Sequence, residues 1–141
     1  MVQRNLEIGR WHIEFYFCPD GYDVDAIDDR LFDFGAGGST MTRACELMET
    51  GAPNTGFTFC NPYQRRALVA IGPTTGGHEF VDTFVHELYH LAVGISTDLG
   101  VDLESETPAY MIGDMTRELA TTVCELGCAK CHKPGDQEPA T

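Results

Sequence analysis

The chain is short of positive charge: its 141 residues hold 9 Lys and Arg against 22 Asp and Glu, a formal charge of −13. Nucleic-acid binding draws on counterion release and on basic groups facing phosphates, so DNA and RNA are not expected partners. Also lacking is any apolar run near the roughly 20 residues of a membrane span. The opening Met1-Val2-Gln3-Arg4-Asn5-Leu6-Glu7 has no apolar core of a signal peptide. A cytoplasmic protein with no membrane partner is the expectation, and there the six cysteines would be thiols or metal ligands rather than disulfides. There is no internal repeat, and the glycine-rich stretch Gly35-Ala36-Gly37-Gly38 lacks the G-K-[ST] ending of a phosphate loop.

What is present suits one globular domain, expected over residues 1–132, with residues 133–141 a disordered tail that has no apolar anchor larger than Ala140. Ile8 to Cys18 alternates Trp11, Ile13, Phe15 and Phe17 against Arg10, His12, Glu14 and Tyr16, which predicts a strand with His12 half-exposed on it. Val24, Ile27, Leu31 and Phe34 predict a short helix. A second helix is expected from Ser39 or Thr40 to Gly51, with Cys45 in its core stripe rather than serving as a ligand. Phe57 to Cys60 and Arg66 to Ile71 read as an antiparallel hairpin. The class is therefore α+β, with a small, mostly antiparallel sheet of about three strands packed with helices.

The long helix expected from about Gly77 to Asp98, stopped by Gly100, carries His86-Glu87-Leu88-Tyr89-His90, an H-E-x-x-H pattern. On a helix, residues four apart lie about 40° from each other, so His86 and His90 can reach one Zn²⁺ while Glu87 addresses a water on it. Phe80, Val81, Phe84, Val85, Leu88, Leu91, Ala92 and Ile95 fall within an arc of about 140° and form the expected core face. The histidines lie nearly opposite. Asp82, one turn before His86, is a candidate to hold that imidazole, while His78 and Glu79 suit a cap or the surface.

A catalytic zinc needs three protein ligands and an open position. Among Asp98, Asp102, Glu104 and Glu106, Asp98 lies roughly 12 Å along the same helix from His90, too far to share the ion. Glu106 opens a further helix, and the extended residues before it can span about 20 Å back toward the histidines. The side Glu106, Ala109, Tyr110, Gly113, Arg117, Ala120 and Cys124 has small residues that would let another helix approach, with Ile112, Met115, Leu119 and Val123 entering the core. Tyr110 is a candidate to aim its hydroxyl at an oxyanion beside the metal.

His86-Glu87-x-x-His90 followed by Glu106-Thr107-Pro108-Ala109-Tyr110-Met111-Ile112-Gly113-Asp114 resembles small HExxH proteins encoded by phages and integrated elements of gut bacteria. The similarity extends upstream through Pro53-Asn54-Thr55-Gly56-Phe57-Thr58, Asn61-Pro62 and Arg65-Arg66, so it covers roughly residues 50 to 131. Such proteins are regarded as zinc metallopeptidases of a reduced gluzincin kind. The resemblance implies His86, His90 and Glu106 as zinc ligands, Glu87 as the base, and a peptide or protein substrate.

Cys124, Cys128, Cys131 and His132 gather three thiols and an imidazole within nine residues, a candidate second metal site. Burial of Cys124 as an apolar thiol is the competing expectation. Cys128-Ala129-Lys130-Cys131-His132 also matches a c-type haem attachment pattern, which a cytoplasmic protein would not use.

Overall fold

A computed structural model describes residues 1–131, with side chains described through Cys128. His132 and the expected tail, residues 133–141, lie outside the described residues. The elements run β1 (Val2–Ile8), β2 (Trp11–Phe17), α1 (Val24–Asp33), α2 (Gly38–Thr50), β3 (Gly56–Asn61), β4 (Arg66–Ile71), α3 (Gly77–Leu99), α4 (Glu106–Glu118) and α5 (Ala120–Cys131). The expected α+β class is what these elements form. No helix among the described residues is long and apolar enough to cross a membrane.

The sheet has four strands in the order β1-β2-β4-β3. β1 pairs antiparallel with β2, and β3 with β4, while β2 and β4 run parallel at the centre. β1 was not expected from the sequence: only Val2, Leu6 and Ile8 of its residues pack on the core, a pattern too thin for a strand on its own. Gly9, at φ 56, turns the chain between β1 and β2, which is why the strand expected from Ile8 begins at Trp11. The parallel pair arises because α1, α2 and β3 intervene between β2 and β4, carrying the chain back to the end from which β2 started.

Helices cover both faces of the sheet. On one, Trp11, Ile13, Phe15, Phe17, Ala67, Val69 and Ile71 meet Phe80, Phe84, Leu88, Leu91 and Ile95 of α3, together with Met111 and Met115 of α4. On the other, Tyr16, Cys18, Leu68 and Ala70 meet Ile27, Leu31 and Phe34 from α1 and its end, and Ala44 and Met48 of α2. Central strands sandwiched this way are apolar on both alternations, as the run Ala67-Leu68-Val69-Ala70-Ile71 is.

Glu14, on the α1 side of β2, is 5% exposed. Arg30 of α1 grips it with two bonds, Nε to Oε1 at 3.0 Å and Nη2 to Oε2 at 2.7 Å. The Tyr16 hydroxyl donates to the same carboxylate, and His12 bridges it to Glu7 of β1. Burial pushes the Glu14 carboxyl up, but the bonds from Arg30, Tyr16 and His12 outweigh it and hold it at about 2. The half-exposed strand histidine of the sequence reading therefore has two carboxylate partners.

Four packing expectations change. Val81 and Val85 are 47% and 45% exposed, because α3 needs only a narrower arc to cover the sheet. Cys45 is half-buried, with its thiol 3.3 Å from a Glu49 carboxylate oxygen, rather than in the core. The helix beginning at Glu106 breaks at Leu119, giving α4 and α5. Its small-residue side also faces solvent: Glu106, Ala109, Tyr110, Gly113, Arg117 and Cys124 are exposed, and nothing lies within 4 Å of where a Gly113 Cβ would stand. The expected core stripe holds: Met115 and Leu119 are buried, with Ile112 and Val123 packed against them, and Pro108 and Met111 join it, because larger apolar groups remove more area from water than alanine and glycine can.

Candidate metal site

α3 runs beside β3, and two contacts fix its rotation. A Cβ on Gly94 would stand 2.8 Å from the Cys60 sulfur, so helix and strand meet there as closely as a glycine allows. A Cβ on Gly56 would stand 2.7 Å from the Ala70 carbonyl oxygen and 3.1 Å from Cγ of Glu87. With the apolar side of α3 turned to the sheet and β3 on its flank, Glu87 is carried under the strand while His86 and His90 remain exposed.

The ligand atoms of His86, Glu87 and His90 lie within 4.8 Å of one another, which makes them the metal-capable group among the described residues. The Nε2 atoms of His86 and His90 approach to 3.1 Å, with the rings at 72° to each other. Two nitrogen ligands at about 2.0–2.1 Å from a tetrahedral zinc stand roughly 3.3 Å apart, so the pair is already spaced to fit that ion.

Glu87 is 4% exposed. The Thr58 hydroxyl lies 3.2 Å from its main-chain oxygen and 3.4 Å from Oε1. Burial raises the Glu87 carboxyl above its ordinary range, against the opposing influence of His86, His90 and Thr58. A cavity of about 240 Å³ opens next to it, bounded by Leu47, the 54–56 turn, Asp82, Thr83 and His86.

The other nominated residues are placed differently. Ser96, roughly 9 Å past His90 along α3, is where Met111 of α4 packs, its sulfur 3.9 Å from Ser96 Oγ. Glu106 lies five residues before Met111, about 140° around α4, and is exposed outside the His86, Glu87 and His90 group. Tyr110 is 68% exposed on the same helix. No hydrogen bond joins Asp82 to His86 among the described residues. Cys124 is exposed rather than buried, as is Cys128. Sequence reasoning did not nominate Thr58 or Gly56 for the site. Their signal was a glycine opening a strand and a small polar residue two places on, which a strand alternation puts on the same side.

Comparison with family models, with curated proteins and with solved structures returned no match.

Proposed function

We propose that this chain is a zinc-dependent metallopeptidase, with His86, His90 and Glu106 as metal ligands and Glu87 as general base. The observation that carries the proposal is the convergence of two imidazole nitrogens, at zinc spacing, beside a buried carboxylate. Zinc held there would supply a bound water with its pKa lowered to about 7 and would polarise a peptide carbonyl. Glu87, whose carboxyl burial raises, would serve as the group that accepts a proton from the attacking water and returns it to the leaving amine. β3 is an edge strand, and a groove of about 290 Å³ follows Gly56 to Phe59 and meets the cavity at Leu47 and Gly56. An extended peptide added to that edge would cross the site. For Glu106 to complete the ligand set and Tyr110 to face the substrate, the first turns of α4 must turn toward His90.

The placement of Glu106 favours a second reading, a zinc-binding module without turnover that acts through a protein partner. Metal analysis of protein purified without a His tag, with hydrolysis measured across a broad peptide library, separates the two. The enzyme is expected to hold zinc, and Glu87→Gln to keep it while lowering hydrolysis about a thousandfold. Zinc without hydrolysis favours the module, and a zinc content near zero after supplementation sinks both.

A further inference from the structure

We propose that the cavity beside Glu87 is a specificity pocket for one basic side chain of the substrate, with Asp82 as its counter-charge. The inference rests on the peptidase reading. At about 240 Å³ the space is smaller than the pockets that enclose whole small-molecule ligands, and it suits a single side chain. It opens directly on His86 and Glu87, so a residue seated in it flanks the bond under attack.

The chemistry of its wall is one-sided. Asp82 makes no ion pair and no side-chain hydrogen bond among the described residues, and neither Lys nor Arg lines the cavity. His86, the remaining titratable wall apart from Glu87, is committed as a neutral ligand in the metal-loaded protein. Leu47 presents an apolar surface to the stem that a lysine or arginine side chain carries below its charge. The surplus of negative charge over the whole chain favours the approach of cationic peptides to the protein.

The rim is built before any substrate arrives. Asn54 holds a left-handed backbone at φ 61, its N–H donates to the Pro73 carbonyl at 2.8 Å, and its Oδ1 accepts from the Thr75 N–H at 2.9 Å. These bonds tie the turn before β3 to the segment leading into α3. A preformed, acid-walled pocket spends little of its binding energy on ordering itself.

The test uses the zinc-loaded Glu87→Gln chain, which keeps the pocket, and fluorescein-labelled alanine-based octapeptides carrying Lys, Gln or Glu at each position in turn. Anisotropy should show one position at which Lys binds roughly tenfold or more tighter than Glu, the scale of one well-placed charge. Asp82→Asn in the same background should remove that preference, and Asp82→Lys should reverse it, with circular dichroism confirming that both variants fold. Equal binding of the three peptides, no binding of any, or a Lys preference that survives Asp82→Asn overturns the pocket. Hydrolysis by the unmutated chain is read separately. Cleavage indifferent to Asp82 leaves the peptidase standing without this pocket, whereas Asp82-dependent binding without cleavage leaves the pocket standing without the peptidase.

Discussion

Two glutamates lie almost fully buried on opposite faces of the sheet, Glu14 at 5% and Glu87 at 4% exposure, and they are prepared in opposite ways. Glu14 receives both arms of Arg30, the Tyr16 hydroxyl and His12, and its charge is locked in at neutral pH. Glu87 has a single hydroxyl near its carboxylate, Thr58 at 3.4 Å, and its carboxyl is raised rather than lowered. A buried acid saturated with donors is a fastener, because any proton must displace a partner. A buried acid left nearly bare is held less firmly in its charged form, and the proposed general base is of that kind.

The sharpest test of this contrast is acid unfolding. The Glu14 carboxyl titrates at about 2 in the folded chain against 4.5 ordinarily, so its contribution is complete above 4.5 and is lost as pH falls toward 2. The loss is expected to be roughly 2–3 kcal/mol, reduced from the full linkage value because Arg30 is partly exposed. Urea melts across that range measure it, and a Glu14→Gln chain should show a flatter acid limb. At neutral pH Glu14→Gln is expected to lower stability by about 2 kcal/mol, since Arg30 loses its carboxylate but keeps access to water. Equal stability of the two chains would break the comparison from the structural side.

Glu87→Gln should act in the other direction. In metal-free protein it removes a poorly partnered buried carboxyl, so the unfolding free energy measured in urea should stay level or rise, by no more than about 1 kcal/mol. A loss as large as that of Glu14→Gln would show that Glu87 is a fastener too. Smallest of all, Thr58→Val should change stability by about 0.5 kcal/mol and lower hydrolysis less than tenfold, because the hydroxyl orients Glu87 without carrying the proton. Steady-state kinetics on the same peptides resolve that effect from the loss caused by Glu87→Gln.

Helices α1, α2 and α3 and the β3–β4 hairpin were legible in the sequence because each carries its own period or turn, whereas the break between α4 and α5 at Leu119 carries none. Gly51 and Gly100 take left-handed backbones at φ 65 and 70 where the helices were expected to stop. The H-E-x-x-H set was legible because its geometry is local to one helix. Relations between distant segments were not. The parallel pairing of β2 with β4 depends on which strand the hairpin joins, and the Arg30 and Glu14 pair spans 16 residues with no periodic signal. The core stripe of α4 was legible too, since Met115 and Leu119 are buried with Ile112 and Val123 packed against them. What misled was the small-residue side from Glu106 to Cys124, which could have admitted another helix but faces solvent.

The close approach of Gly94 to Cys60 places a chemical clock at the seam between α3 and β3. The Cys60 thiol is pushed up to about 11 by burial, so in the closed protein it is nearly inert toward alkylating reagents. Its rate of labelling therefore counts how often strand and helix part, and a peptide seated along the β3 edge should slow that count in proportion to its occupancy.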